Sequence, residues 1–306
     1  MKIIFMGTPE FAQIILHSLC AAHDVIAVIT QPDKPKGRGY ALQPPPVKIY
    51  AEANGLTVYQ PNTLRGDEFQ NLLTELSPDV IIVAAYGKIL PPNVLEFPRY
   101  GCINVHGSLL PKYRGAAPIQ RAIMNGETVT GVTIMQMADG IDTGDMLLPA
   151  EVSITADDNF ETVHDKLAIA GCTALMETLS RIDELQPIKQ NDDDATWADK
   201  IDKGECGIDF SATAAGIHNK IRGLSPFPLA YGVLNGKKIK FVSSKVNGKS
   251  YDVPYGTVVS LDGGIITIAC GEGAIDIDCV LPEGKNRMKS ADFINGRGVT
   301  VGMRFM

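Results

Sequence analysis

Short apolar runs alternate with helix-like segments through the first half of this 306-residue chain. Residues 2–6, 25–30, 80–85 and 102–106 are apolar enough to form buried strands, and amphipathic patterns separate them. Strands that alternate with helices form a parallel sheet with helices on both faces. The sequence therefore predicts an α/β domain with a doubly wound, mostly parallel, Rossmann-like sheet. Such sheets place their binding sites beyond the carboxyl ends of the strands.

The C-terminal part of the chain has a different pattern. Five short runs with strand-like composition are separated by Gly, Asn and Asp turns; they cover residues 230–234, 238–243, 256–260, 265–269 and 274–280. Such spacing predicts a small, OB-like β-barrel. A helical pattern over 155–185 is followed by a segment without clean periodicity. The expected division is a catalytic domain over 1–185, a linker over 186–205 and a C-terminal β-barrel domain over 206–306.

The charge is distributed unevenly between these parts. Residues 1–205 carry 16 Lys and Arg against 27 Asp and Glu, whereas residues 206–306 carry 12 against 8. The net charges are therefore −11 and +4, within a total of −7. An acidic body with a basic C-terminal domain indicates that the C-terminal domain, rather than the body, meets a polyanion.

Other features of the composition predict a cytoplasmic protein. The chain has no run of about 18 apolar residues that could span a membrane. Its N-terminus begins with a strand pattern instead of the features of a signal peptide. None of the six cysteines forms a closely spaced pair with metal-binding spacing. We expect neither a bound metal nor a protein partner.

The segment over residues 101–121, GCINVHGSLLPKYRGAAPIQR, concentrates the chemically useful groups. If residues 102–106 form a strand, Asn104 and His106 lie on the same face and converge at its end. Gly107 ends the strand, and a later Asp-rich turn around Asp142 can bring a carboxylate to the imidazole. A fixed hydrogen-bond donor, a base and an orienting carboxylate are the parts of an acyl-transfer site.

Two other kinds of site are less well supported by the sequence. Asp139, Asp142 and Asp145 could together hold a magnesium ion, but no phosphate-binding loop accompanies them. The segment after the first strand, Gly7-Thr8-Pro9-Glu10, lacks the G-x-G-x-x-G spacing of dinucleotide-binding folds. Neither nucleotide nor metal chemistry is therefore the preferred interpretation.

A Pro- and Gly-rich segment over residues 31–46 is expected to be an exposed, mobile loop. It carries three basic residues, Lys34, Lys36 and Arg38, in a stretch of five positions, although the domain around it is acidic. The cluster is either solvated surface or a projection that contacts phosphates or an acidic substrate.

Seven motifs occur in an order that resembles the bacterial methionyl-tRNA formyltransferase family. They are MKIIFMGTPEFA, QPDKPKGRG, PPPVK, AAYGKILP, GCINVHGSLLPKYRGAAPIQRAI, GVTIMQMADGIDTGDML and LSPFP, and they extend over nearly the whole chain. The NVHGSLLP and DTGDML blocks also occur in relatives that formylate other amines. The basic loop and the C-terminal domain therefore carry the finer assignment.

The resemblance implies that 10-formyltetrahydrofolate donates a formyl group to the α-amino group of methionyl-initiator tRNA. By matching motif, Asn104, His106 and Asp142 are the implied catalytic residues, with either His106 or Asp142 as the proton acceptor. Folate is implied to bind around the segment formed by Ser108, Leu109, Leu110 and Pro111. The same resemblance implies that the tRNA acceptor stem meets the loop with Lys34, Lys36 and Arg38.

Two alternatives remain open at the level of sequence. A formyltransferase that acts on a small amine, such as a purine precursor or an amino-sugar nucleotide, would share the same core motifs. An RNA-binding module with an inactive folate-enzyme body is the other, although the intact set of Asn104, His106 and Asp142 argues against it.

Overall fold

The structure is a computed structural model that describes residues 1–36 and 41–306. The chain divides into two compact units. The first unit contains Met1–Gly115, Val129–Ser153 and His164–Ala198, and the second contains Ala116–Thr128, Ile154–Val163 and Asp199–Met306. The functional domain boundaries given above stay a prediction.

Among its described residues, the first unit contains nine strands. They are β1 (Lys2–Gly7), β2 (Asp24–Ile29), β3 (Lys34–Lys36), β4 (Ala41–Gln43), β5 (Val58–Tyr59), β6 (Val80–Ala84), β7 (Cys102–His106), β8 (Val129–Gln136) and β9 (Met146–Ser153). The helices of the chain as far as residue 180 are α1 (Glu10–Ala22), α2 (Pro46–Ala53), α3 (Asp67–Leu76), α4 (Pro92–Leu95), α5 (Pro118–Met124) and α6 (Phe160–Ser180). The predicted alternation of strand and helix is confirmed.

Seven of these strands form one sheet in the order β5-β2-β1-β6-β7-β8-β9. The pairs from β5 to β7 are parallel, and β8 and β9 extend the sheet in antiparallel fashion. Ile3, Ile4, Phe5 and Met6 of β1 are all fully buried. A continuous apolar run of this kind is typical of a strand that is covered on both faces. The predicted doubly wound, mostly parallel sheet is therefore confirmed.

The start of α1 differs from the sequence pattern. A threonine followed by Pro and Glu is a typical helix start, but here Pro9 occupies the N-cap position and no side chain caps the helix. The Thr8 hydroxyl instead donates a hydrogen bond to the Tyr86 carbonyl at 3.1 Å. The Thr8 hydroxyl thus bonds the segment after β6 instead of an amide in the first turn of α1.

The basic loop includes a small antiparallel ladder formed by β3 and β4, in which Lys34 pairs with Gln43. This ladder was not expected, because Pro-rich segments seldom pair within sheets. Next to it, Lys48 donates to both carboxylate oxygens of Asp33 and to Gln60 at 2.9–3.0 Å. The predicted phosphate contact Arg38 lies outside the described residues.

The second unit contains an antiparallel sheet of six strands. They are β10 (Ala230–Leu234), β11 (Lys237–Asn247), β12 (Val258–Ser260), β13 (Ile266–Ala269), β14 (Ala274–Pro282) and β15 (Met288–Lys289). The order is β10-β11-β14-β13-β12, with β15 paired to β14. The fold is an antiparallel half-barrel, and Phe210, Phe241 and Phe305 pack against one another in its core. The expected C-terminal barrel-like fold is confirmed in this form.

Two further helices belong to the second unit, α7 (Ala214–Gly223) and α8 (Ser290–Asn295). Thr213 caps α7, because its hydroxyl oxygen accepts a hydrogen bond from the Gly216 amide at 3.1 Å. Within the described part of the chain, no helix is both long and apolar enough to cross a membrane.

Candidate active site

The two predicted polar side chains, Asn104 and His106, lie on β7, an internal strand of the sheet. It pairs in parallel with β6 and antiparallel with β8, where Asn104 lies opposite Met135 and His106 opposite Thr133. The side chains of Asn104 and His106 share a face because they are two residues apart. Both are buried, with 8% and 6% of their surface exposed.

His106 and Asp142 lie next to each other in the structure. The distance from His106 Nδ1 to Asp142 Oδ2 is 3.5 Å, and the second ring nitrogen, Nε2, lies 3.0 Å from the Tyr113 carbonyl oxygen. A carbonyl oxygen only accepts, so Nε2 must carry a proton. In the neutral tautomer, Nδ1 is therefore an acceptor that faces the carboxylate, which is also an acceptor. The two acceptors can share any proton that reaches them.

Asp142 is held in an unusual backbone conformation. Its φ angle is +53°, in the left-handed region that side-chain-bearing residues seldom adopt. The Gly115 amide donates to Asp142 Oδ2 at 2.9 Å, which orients the carboxylate. A strained residue at a polar site persists only where its surroundings fix it.

The supports of this turn were not predicted from sequence. Gln190, a buried residue within the predicted linker, donates to the main-chain oxygens of Asp142 and Gly144 at 2.8 and 2.7 Å. Gly144 itself has no room for a side chain, because a Cβ would overlap the Gln136 carbonyl oxygen. The glycine in the DTGD motif is a sequence signal for such a close approach, whereas Gln190 has none.

The predicted folate segment is folded tightly against β8. The Ser108 hydroxyl donates to the Lys112 carbonyl at 2.6 Å. Thr133 donates to the Ser108 carbonyl at 2.7 Å and accepts from the Leu110 amide at 3.0 Å. Thr133 is fully buried and was not predicted. The polar groups named here are satisfied internally, so Leu109 and Pro111, both partly exposed, offer mainly apolar surface to a ligand.

The Asn104 side chain, unlike the polar groups of residues 108–112, forms no hydrogen bond to the described residues. Its amide therefore keeps two N–H donors for a ligand. Cys102, on the same strand, is no nucleophile at neutral pH, because burial raises the pKa of its thiol to about 12.

The structure describes only part of the loop that is predicted to contact tRNA. Lys34 is exposed on β3, while the side chain of Lys36 and all of Arg38 lie outside what the structure describes. Across residues 1–36 and 41–306, no three His, Cys, Asp or Glu side chains are grouped as a metal site.

Comparison with known proteins places this geometry in a family. The Formyl transferase model matches residues 1–179, and the model named Formyl transferase, C-terminal domain, matches residues 200–298. The methionyl-tRNA formyltransferase of a Jannaschia species is 48% identical over 306 residues, covering 99% of each chain. The chain belongs to the methionyl-tRNA formyltransferase family. A second member, from Macrococcus caseolyticus, is 47% identical and covers 99% of this chain and 98% of its own.

Formyltransferases outside this family share the fold. The N-formyltransferase from Helicobacter canadensis, solved with folinic acid and dTDP-3-aminofucose, has a TM-score of 0.69 and 21% identity. The match covers 90% of this chain and 98% of that one. At this identity, the likeness shows the fold alone. The full-length relatives, by contrast, show that the chain is an enzyme of the methionyl-tRNA formyltransferase family.

Proposed function

We propose that this chain transfers the formyl group of 10-formyltetrahydrofolate to the free α-amino group of methionyl-initiator tRNA. The product is N-formylmethionyl-tRNA, which serves translation initiation. Support for the acceptor comes from relatives that carry the name methionyl-tRNA formyltransferase and match this chain from end to end. The observation that carries the chemistry is the 3.5 Å approach of His106 Nδ1 to Asp142 Oδ2.

The reaction forms one C–N bond and breaks another. The α-amino nitrogen attacks the formyl carbon, the carbonyl oxygen becomes an oxyanion, and the bond from the formyl carbon to the folate nitrogen then breaks. The amine loses a proton, and the folate nitrogen gains one. The enzyme must therefore stabilise an oxyanion and accept a proton close to the new bond.

Asn104 is suited to the first task. Its buried amide has donors that can point at the oxyanion without first breaking a bond within the protein. A preorganised donor of this kind typically accelerates the chemical step about 100- to 1,000-fold.

The His106–Asp142 pair is suited to the second task. Because Nε2 donates to the Tyr113 carbonyl, the facing Nδ1 and Oδ2 atoms are two acceptors that an amine N–H can approach. Once the pair holds the proton, His106 becomes a cation when the proton is on Nδ1, and its charge also stabilises the oxyanion. The proton then passes to the folate nitrogen. Either His106 or Asp142 can take the proton first.

The remaining contacts of this proposal concern the two substrates. The segment formed by Ser108, Leu109, Leu110 and Pro111 would hold the folate, mainly through the apolar surface of Leu109 and Pro111. Lys34, Lys36 and Arg38 would contact tRNA phosphates, since clustered basic side chains bind a nucleic-acid backbone without base specificity. Residues 206–306, with their net charge of +4, would bind another part of the tRNA.

The test is transfer of labelled formyl from 10-formyltetrahydrofolate into the aminoacyl ester of charged initiator tRNA. Asn104→Ala should lower kcat about 100-fold, and Asp142→Asn should lower kcat strongly because the facing carboxylate is lost. Asp139→Asn, an exposed residue before the same turn, is the matched control. Wild-type kcat in Asp142→Asn would refute the proposed role of the pair.

The acceptor can be tested separately. Lys34→Ala should raise the KM for charged tRNA. It should also reduce the slope of log affinity against log salt concentration by about 1, the change expected for one lost phosphate contact. Arg65→Ala, which removes an exposed charge elsewhere, is the control. Formylation of a small amino-sugar nucleotide but not of charged tRNA would refute the tRNA assignment.

A further inference from the structure

The side chain of Gln190 supports the turn that carries Asp142. Its amide nitrogen donates to the Asp142 and Gly144 carbonyl oxygens at 2.8 and 2.7 Å. Its amide oxygen accepts from Arg114 Nε at 2.9 Å. Carbonyl oxygens only accept and an Arg nitrogen only donates, so these partners fix the orientation of the amide. The amide nitrogen of Gln190 is thus used to hold the Asp142 turn, and its amide oxygen is used to bind Arg114.

Arg114 connects this amide to the catalytic pair. It is 3% exposed, and its Nη2 also donates to Asp192 Oδ1 at 2.8 Å. The residue before it, Tyr113, accepts from His106 Nε2, and the residue after it, Gly115, donates to Asp142 Oδ2. The three consecutive residues 113–115 therefore contact His106, Gln190 and Asp142 in turn.

The position of Asp142 depends on main-chain support for a physical reason. A φ of +53° costs about 1 kcal/mol or more for a residue with a side chain. Two hydrogen bonds to the main chain of the same turn oppose relaxation toward ordinary φ values. Relaxation would rotate the carboxylate away from His106 Nδ1, because the side chain follows the backbone.

We infer that Gln190 is a positioning residue for formyl transfer, which keeps the Asp142 carboxylate aligned with His106. This inference rests on the proposed function, since it assumes that Asp142 takes part in the reaction. Gln190 touches neither substrate nor the reacting atoms in this assignment. It acts through the Asp142 turn.

Two isosteric substitutions separate the functions of the amide. Gln190→Met removes all three hydrogen bonds, whereas Gln190→Glu keeps the acceptor for Arg114 and loses the donors to the turn. Both should lower kcat about 10- to 100-fold, as a misplacement of a catalytic group by about 1 Å does. The KM values for folate and charged tRNA should stay within about twofold, because neither binding surface is altered. Gln186→Glu, an exposed change in the same segment, is the matched control.

The pH dependence of kcat in Gln190→Glu distinguishes lost hydrogen bonds from lost packing, because a packing defect alone would not vary with pH. Protonation of the introduced carboxyl restores one donor, so the ratio of variant to wild-type kcat should rise as the pH falls. The corresponding ratio for Gln190→Met should remain flat, since methionine does not titrate.

A double-mutant cycle with Asp142→Asn decides whether Gln190 acts through Asp142. We expect Gln190→Met to change kcat by less than about twofold in the Asp142→Asn background, since residues that act as a unit are not additive. An equal loss in both backgrounds, or wild-type kcat in Gln190→Glu, would overturn the inference. If Gln190→Met fails to fold, Gln190→Glu decides alone. Wild-type kcat in Asp142→Asn would instead refute the catalytic role of Asp142, and a wild-type enzyme that transfers no formyl group to charged initiator tRNA would refute the proposed function.

Discussion

The hydroxyl of Thr133 offers the most direct test of how the site is supported. Thr133→Val keeps the shape of a fully buried side chain on β8 and removes its hydroxyl group. That hydroxyl donates to the Ser108 carbonyl and accepts from the Leu110 amide, at 2.7 and 3.0 Å. The substitution therefore leaves one buried main-chain acceptor and one buried main-chain donor without this partner.

The size of the effect follows from these two groups. Each buried group left without a hydrogen bond costs about 1–3 kcal/mol. The added methyl group returns about 0.8 kcal/mol through burial of apolar surface. We therefore expect the free energy of unfolding to fall by about 3 kcal/mol. The KM for the folate donor should also rise, because residues 108–111 lose their attachment to β8.

Urea denaturation of Thr133→Val measures this loss, and Thr173→Val is the matched control. Thr173 is an exposed residue of α6 whose hydroxyl donates only to the preceding helical turn, at Ile169. The same substitution there should change stability by less than about 0.5 kcal/mol. Equal stability of Thr133→Val and Thr173→Val would refute the assignment of two main-chain groups to the Thr133 hydroxyl.

Three further predictions concern other parts of the chain. Gly144→Ala should lower kcat in the formyl-transfer assay, because its Cβ would overlap the Gln136 carbonyl and displace the Asp142 turn. Glu205→Gln should lower the unfolding free energy by about 1–2 kcal/mol, and the difference should vanish at acid pH, since hydrogen bonding from Arg121 lowers the Glu205 pKa. Burial lowers the pKa of His218, so wild-type stability should decline as the pH falls below 6.5, and His218→Gln should flatten that decline in thermal melts.

Strand β7 shows which part of this molecule the sequence can predict. Its apolar run sets the bounds Cys102–His106, and period-two alternation puts Asn104 and His106 on one face. Both results depend only on neighbours in the chain. The catalytic roles of these side chains stay predictions, as does that of Asp142, although the structure brings its carboxylate to His106.

The antiparallel part of the sheet was not predicted, and the reason is physical. Strand β8 follows β7 in the sheet and pairs with it over four residues, but only the tertiary fold decides on which side of β7 a later strand adds. The ladder of β3 and β4 was missed for a related reason. A Pro-rich composition excludes central strands, yet it permits a two-stranded ladder outside the main sheet.

The segment predicted as a linker illustrates the larger limit. It has no hydrophobic periodicity, so sequence patterns give it no structural role. In the structure, Gln190 binds the Asp142 turn, and Thr196 accepts hydrogen bonds from the main-chain amides of Tyr113 and Arg114 at 2.9 and 2.8 Å. These contacts span 48 to 83 residues of sequence and involve mostly main-chain groups of the partner segment. Main-chain groups are the same at every non-proline position, so residue types cannot reveal them.

The same reasoning separates the residues that carry chemistry from those that position it. Asn104, His106 and Asp142 are visible in sequence because their side chains are chemically distinctive and lie in polar motifs. Thr133 and Gln190 each bond two main-chain groups on segments that carry site residues, and nothing in the residue type announces this. Substitutions in the first group should remove a reacting or stabilising group and lower kcat directly. Substitutions in the second group should act through displaced backbone, so their effects should disappear once the residue they position is itself removed.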